Sequence, residues 1–343
     1  MNIHTLTPCD ADRWNSFVDS SPAATFFHRT EWKEIIERTF NFASLYLFAE
    51  KDAVIQGVLP LFHVKGLFSG NALISTPFAV YGGILAATTV ARDALYAACK
   101  EKAERLGAEF VELRHFTPID IPELTTRDSL YVTFVKEMPE RVQDIYEQLP
   151  KEARRMVRKG RSNGLTTRMD RDDVDTFYNI YAVSVRKFGT PVFPKKLFQT
   201  CLEVLQDKAS ILYVYDQDKV IAGVMSFYHK DTVLPYYSGM LSDVKSVAPH
   251  NLMYLALMED ARERGYRTFD FGRSKIGTGP ASFKKHMGFE PMNLPYQFYL
   301  RNGKDLPNRN QTNPKYAKAL NIWKRLPLPV TKIVGPHVVK MFP

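Results

Sequence analysis

Phe269-Asp270-Phe271-Gly272-Arg273-Ser274-Lys275-Ile276-Gly277-Thr278-Gly279, followed by Phe283-Lys284-Lys285, is the stretch on which the fold turns. An apolar strand runs into glycines and three lysines. Backbone N–H groups and cations therefore gather at one strand end, where an anionic ligand or a developing negative charge is held. Outward from it, Val220 to Leu300 reads strand, strand, helix, strand, then this loop.

The same order occurs earlier in the chain. Leu45 to Ala49, a turn at Lys51-Asp52 and Val54 to Phe62 predict a β-hairpin; Ile211 to Tyr215, Gln217-Asp218 and Val220 to Phe227 predict a second. Gly57 and Gly223 fall at the same place in the second strand, where a strand bulges or lets a ligand backbone approach. Each hairpin leads to a further strand, Ala72 to Pro77 with Tyr81 to Ile84 in one half and Val233 to Met240 in the other. Helical periodicity follows at Ala94, Leu95, Ala98, Ala103 and Leu106, and at Leu252, Leu255, Ala256, Met258 and Ala261. Gly107 and Gly265 end these helices, and the short strands Phe110–Leu113 and Thr268–Phe271 follow. This matched order predicts a duplicated unit.

Between the copies, Lys151 to Arg161 predicts a helix ending at glycine. Arg155 and Arg158, or Arg154 and Arg158, share a face that can clamp a diphosphate or a polynucleotide backbone. A helix from Val174 to Phe188 opens the second copy, and Lys196 to Leu205 predicts another after Pro191 and Pro194.

The chain has 343 residues, enough for two domains, and 45% of them are hydrophobic. Cys9, Cys99 and Cys201 are far apart and form no metal-type spacing, so no metal site or disulfide framework is expected. Met1 to Asp12 lacks the pattern of a secretory signal, and no stretch approaches the roughly 18 apolar residues of a spanning helix. A cytoplasmic location follows as the expectation. The net charge of +9 is concentrated: Lys151 to Arg161 carries six Lys/Arg against one acid, and Arg301 to Pro343 nine against one. Local cationic patches point to phosphate-bearing partners. The tail holds a short predicted helix, Lys315 to Leu326, with Tyr316, Leu320, Ile322 and Trp323 among cations. It suits peripheral contact with an anionic membrane at its inner face; the alternative is that its aromatics pack onto the body.

The β-β-β-α-β order resembles the GNAT acyltransferase core, and two such cores in tandem resemble the FemAB family (BioF2-like acyltransferases). Three motifs carry the resemblance: Thr25-Phe26-Phe27-His28 with Trp32, the basic segment Arg154 to Gly160, and Asp270 to Lys275 with Gly277-Thr278-Gly279, Phe283-Lys284 and Gly288-Phe289. With the Trp/Leu/Pro-containing tail, these look most like FemAB-type proteins of exosortase/PEP-CTERM exopolysaccharide systems. The coiled-coil arm of some peptidoglycan-bridge enzymes is not evident. The resemblance implies two tandem GNAT-like α+β domains, each a mixed, mainly antiparallel sheet flanked by helices. The expected bounds are 1–145, 146–302 with the active site, and a basic tail over 303–343.

It also implies acyl or aminoacyl transfer onto a carrier-linked cell-envelope or exopolysaccharide precursor. No cofactor would be bound permanently; the acyl donor would be an aminoacyl-tRNA or an acyl-CoA, with tRNA then a partner. Lys284 resembles a functional lysine of the family, which orients a carboxylate or stabilises an oxyanion. Arg273 and Lys275 follow the strand directly, and at least one of them should face the cleft beside it. Asp270 either takes a proton from an attacking amine or pairs with Arg273 or caps a loop. His250 is a helix cap or a base. Arg154, Arg155 and Arg158 would hold acceptor phosphate; Tyr236, Tyr237 and Tyr296 would line a groove or pack a core. The helix starts Thr88 to Asp93 and Ser246 to Asn251 lack the glycines that seat a CoA pyrophosphate, which disfavours acetyl-CoA. Two alternatives stand beside this expectation: an acetyl-CoA-dependent N-acetyltransferase of a nucleotide sugar, and a non-catalytic polyanion-binding pseudoenzyme.

Overall fold

A computed structural model describes residues 1–66, 70–241, 244, 247–301 and 321–343. The chain divides into two compact units. The first comprises Met1–Leu130, Leu294–Asn310 and Lys340–Pro343; the second, Tyr131–Asn293 and Gln311–Val339.

The second unit is built on a six-stranded sheet. Thr166–Asp170, Ala209–Asp216, Lys219–His229 and Thr232–Met240 pair antiparallel in succession. Thr268–Asp270 then joins parallel to Thr232–Met240, with Val233 opposite Phe269. Val135–Glu137 closes the row antiparallel to Thr268–Asp270. Helix Pro249–Glu263 spans the parallel crossover and buries Leu252, Met253, Leu255, Leu257, Met258 and Ala261. Against it packs helix Lys151–Ser162, whose Gly160 lets Leu252 approach; a Cβ there would lie 3.4 Å from the Leu252 Cβ. Helix Val174–Phe188 lies on the sheet so closely that a Cβ on Gly239 would stand 2.7 Å from the Tyr181 Cα.

The first unit repeats the plan with a difference. Leu47–Lys51 and Val54–Leu59 pair in a four-stranded sheet, while Phe62–Gly66 and Gly70–Ile74 belong to a six-stranded one. The single strand expected over Val54 to Phe62 is therefore two. Pro60, which has no N–H to give a ladder, stands at the break. In the second unit the equivalent strand, Lys219–His229, has no proline and runs on through a register shift at Met225/Ser226. Phe110–Leu113 joins parallel to Gly70–Ile74 after helix Thr89–Arg105, and Tyr296–Leu300 pairs antiparallel beside it.

Each copy's parallel strand is thus covered by a strand from the other half of the chain. Val135–Glu137 comes from the first half and Tyr296–Leu300 from the second. This exchange moves the boundary from the expected 145/146 to 130/131, and returns 294–310 to the first unit. Hydrophobic periodicity reports a strand but not its partner, so the exchange leaves no mark in the sequence. The expected bounds of the tail also differ: helix Leu328–Val339 packs on helix Val174–Phe188 and belongs to the second unit. Of the helix expected at Lys315 to Leu326, residues 315–320 lie outside the described residues, and 321–325 are helical.

Gly57 pairs with Ala49 at the register shift Ala49/Glu50, and Gly223 pairs with Tyr213, one residue pair from the shift Val214/Tyr215. Their missing side chains make room for Leu95 and Ala86 in one unit, and for Tyr213 and Phe177 in the other. The reason is packing, not the approach of a ligand.

Candidate functional site

Strand Thr268–Asp270 sends Phe269 and Phe271 into an aromatic cluster. The Phe271 ring lies 4.6 Å from that of Phe289 and 4.8 Å from that of Tyr254. Asp270 alternates to the other face and is buried there too. Its Oδ1 accepts the Gly272 N–H at 2.7 Å, closing a turn whose glycine sits at φ +62. Only glycine takes that conformation without strain.

Lys284, on helix Gly279–His286, holds the same loop from below. Its Nζ donates to the carbonyls of Phe271 at 2.7 Å, Gly272 at 2.9 Å and Arg273 at 3.3 Å. The rings of Phe134 and Phe271 lie 5.4 and 5.7 Å from the ammonium. Burial pushes its pKa down to about 7; Asp270 opposes the fall and Arg273 adds to it. The three N–H vectors of an ammonium are all taken by these loop carbonyls.

The loop it fixes carries two half-buried cations. Arg273 lies over the Tyr131 ring at 4.6 Å. Lys275 sits on the strand Ser274–Lys275, paired with Tyr131 across a short antiparallel ladder. Burial lowers its pKa. Thr278 Oγ1 donates to the Lys275 carbonyl at 2.7 Å and Gly277 turns at φ +77, leaving Ile276, Gly277 and Gly279 exposed.

The basic helix Lys151–Ser162 reaches this neighbourhood. A Cβ on Gly288 would come within 2.9 Å of Pro150, so the start of the basic helix abuts the chain just beyond helix Gly279–His286. Its arginines divide. Arg155 is committed to Glu152, with Nε at 2.9 Å. Arg158 donates to the Tyr146 hydroxyl at 3.2 Å, and Arg161 lies 5.4 Å over the same ring and 3.8 Å from Glu259. Arg154 is half-buried. The convergent pair is Arg158 with Arg161, joined through Tyr146, rather than Arg155 or Arg154 with Arg158 as the spacing suggested.

Two expected residues lie elsewhere. Tyr237 is buried among Tyr181, Phe193, Phe198, Phe227 and Tyr236, and its hydroxyl has no hydrogen-bond partner among the described residues. Tyr296 belongs to the first unit, where its hydroxyl donates to the Val80 carbonyl at 2.8 Å under the Arg114 guanidinium. Both pack cores: Tyr237 follows the alternation of its strand, and Tyr296 lies on a strand with four successive buried residues. Tyr236 is half-buried, its ring 5.3 Å from that of Phe227. His250 stands at the start of helix Pro249–Glu263, its ring 5.8 Å from that of Phe283. An open hollow of about 600 Å³ is lined by Asp170, Asp172, Ser210, Asp260 and Arg264 and by none of these candidates.

A polar cluster in the first unit escaped the sequence reading. Arg114 is sealed: its Nε donates to Glu112 at 2.7 Å, and Nη1 to the carbonyls of Thr76 at 2.7 Å and Ala79 at 2.9 Å. His28 Nε2 bonds the Gly83 carbonyl at 3.1 Å, and His115 Nε2 accepts the Ile84 N–H at 2.9 Å. Burial, with His28 nearby, holds the His115 pKa down at about 3. The sequence does contain the signal. Glu112-Leu113-Arg114-His115 runs out of the end of the first copy's parallel strand as Asp270-Phe271-Gly272-Arg273 runs out of the second's.

The architecture is that of two GNAT-like α+β domains in tandem. Residues 148–285 match the family described as Acetyltransferase (GNAT) domain. FemX superposes with a TM-score of 0.69 at 15% identity, over 88% of this chain and 98% of that one. The C-terminal DUF2156 domain of a putative lysylphosphatidylglycerol synthetase from Agrobacterium fabrum gives 0.57 at 13%, over 86% and 92%. A tandem GNAT protein from the clavulanic acid biosynthesis pathway gives 0.57 at 10%, over 89% and 99%. No curated protein matches the sequence.

Proposed function

We propose that the protein is a FemAB-like acyl or aminoacyl transferase acting on a carrier-linked, phosphate-bearing acceptor of the cell envelope or of exopolysaccharide assembly. One observation carries the reading: the segment matching the GNAT family, residues 148–285, ends its parallel strand in a clamped loop that holds Arg273 and Lys275 half-exposed. An amine or hydroxyl of the acceptor attacks the carbonyl of an activated ester or thioester. The attacking oxygen or nitrogen gains the acyl group, loses its proton, and the alkoxide or thiolate leaves. Arg273 and Lys275 stabilise the oxyanion of the tetrahedral intermediate, while Lys284 and Asp270 keep the loop in the shape that presents them. Acceptor phosphate binds Arg158 and Arg161, with Arg154 beside them.

The donor is an aminoacyl-tRNA in preference to acetyl-CoA. Helix Thr89–Arg105 satisfies its own start, Thr88 Oγ1 accepting the Ala91 N–H at 3.2 Å, and helix Pro249–Glu263 begins at a proline, which has no N–H to offer a pyrophosphate. The acetyl-CoA reading has one observation in its favour, the acetyltransferase description of the matching family. Incubation with charged tRNA and with acetyl-CoA, each with amine- and hydroxyl-bearing phosphosugar acceptors, separates them. Acceptor-dependent deacylation of tRNA is expected; CoA release without tRNA overturns the preference. The exosortase/PEP-CTERM setting and a site of action at the cytoplasmic face of the membrane belong to this same reading. Among the described residues no helix is long and apolar enough to cross a membrane.

A further inference from the structure

We propose that the outward face of helix Leu328–Val339 docks the protein on an anionic lipid bilayer. The helix is built the wrong way round for a soluble surface. Its inner stripe is Thr331, Gly335 and Val339, spaced i, i+4, i+8 and buried. Its outer stripe is apolar: Val330, Ile333 and Val334 are exposed, Ile333 at 70%. A surface helix ordinarily has the opposite pattern.

Its orientation is fixed, so the apolar side cannot roll inward. A Cβ on Gly335 would come within 2.6 Å of the Val192 carbonyl oxygen, and only glycine permits that approach. The Lys332 ammonium bonds the Asn179 Oδ1 and lies 5.2 Å over the Tyr178 ring. Just upstream, the Trp323 indole N–H donates to the Thr190 carbonyl at 3.2 Å, and Arg186 donates to the Leu326 carbonyl at 3.0 Å. With Trp323 held inward, Ile322 stands 63% exposed between residues 321 and 325, where Lys324 and Arg325 are exposed too. Phe188, two residues before the anchoring Thr190, is 62% exposed.

Charge selects the occupant. From Leu306 to Pro343 the sequence has seven Lys/Arg and no acidic residue. Exposed apolar side chains beside the exposed cations Lys324 and Arg325, on a segment whose own sequence has no acid, suit an anionic headgroup layer: the apolar groups enter the acyl boundary and the cations meet lipid phosphates. The proposal uses none of the acyl-transfer residues and stands independently of that reading. It moves the membrane contact expected at Lys315 to Leu326 onto the following helix.

Flotation of the full-length protein with vesicles tests it. Wild type is expected to float with phosphatidylcholine vesicles containing phosphatidylglycerol, about tenfold more than with phosphatidylcholine alone, and to be released by high salt. Ile333→Ser/Val334→Ser and Lys324→Gln/Arg325→Gln are each expected to keep the wild-type Tm and lose at least about tenfold in binding. The wild-type salt dependence stands as evidence even if a variant fails to fold. Flotation indifferent to phosphatidylglycerol and to salt overturns the proposal. So does a concentration-dependent dimer that does not float and that Ile333→Ser/Val334→Ser dissociates, which would assign the face to a second copy.

Discussion

At the scale of single residues, Lys284 and Asp270 show how one loop is fixed from two sides, by a carboxylate taking its N–H and an ammonium taking its carbonyls. Lys284→Met removes three donors at once. It is expected to lower kcat by about a hundredfold through misplacement of Arg273 and Lys275, measured as initial transfer rate at saturating acceptor. The pH dependence has a defined sign. The folded pKa of about 7 lies below the ordinary lysine value of 10.5, so between these values the unfolded chain binds the extra proton and stability rises with pH. Urea midpoints of wild type should therefore climb relative to Lys284→Met from pH 7 to 10.5; parallel curves contradict the assignment. His115 gives the acid counterpart. Its folded pKa of about 3 lies below the ordinary 6.5, so its contribution is present above that ordinary value and is lost as pH falls through the window. His115→Gln should flatten the acid loss by a few kcal/mol.

At the scale of elements, the basic helix separates arginines with work outside the helix from one bound within it. Arg158→Ala and Arg161→Ala are expected to raise the KM for a phosphate-bearing acceptor about tenfold with little change in kcat, while Arg155, already paired with Glu152, should matter less. Steady-state kinetics with and without the acceptor phosphate read the difference. On the sheet, Gly239→Ala sets a methyl against the Tyr181 backbone, which cannot yield as a side chain would. A loss of about 1–3 kcal/mol is expected in chemical denaturation. The hairpins, the helices and the glycines beside the register shifts were legible because each is a local pattern of polarity or backbone conformation. The burial of Tyr237 was not, since an aromatic on a strand reads the same facing a groove or a core. The pairing of Arg158 with Arg161 depended on Tyr146, which lies 12 residues before Arg158.

At the scale of the whole chain, a duplication with exchanged closing strands accounts for the order of elements, the matched glycines and the two units. The copies have diverged where chemistry is expected. In the first, the acid and the cation at the end of the parallel strand are joined and sealed as Glu112 and Arg114. In the second, Asp270 and Lys284 serve the backbone and leave Arg273 and Lys275 half-exposed. Residues 1–145 expressed alone lack Tyr296–Leu300, leaving the Phe110–Leu113 edge unpaired. They should aggregate, and a linked copy of residues 294–301 should restore a soluble fold, read by size-exclusion chromatography. The exchange itself was invisible beforehand, because no local pattern names a strand's partner.

The central claim is that the loop from Asp270 to Lys275 is where acyl transfer occurs. It is tested most directly by single-turnover transfer from a charged tRNA or acyl-CoA to a phosphate-linked amine or hydroxyl acceptor, comparing wild type with Arg273→Ala and Lys275→Ala. The account predicts acceptor-dependent consumption of donor by wild type and a fall of about a hundredfold or more in each variant, with fold and acceptor binding retained. Full transfer by both variants, or no consumption of either donor class by wild type, would contradict it.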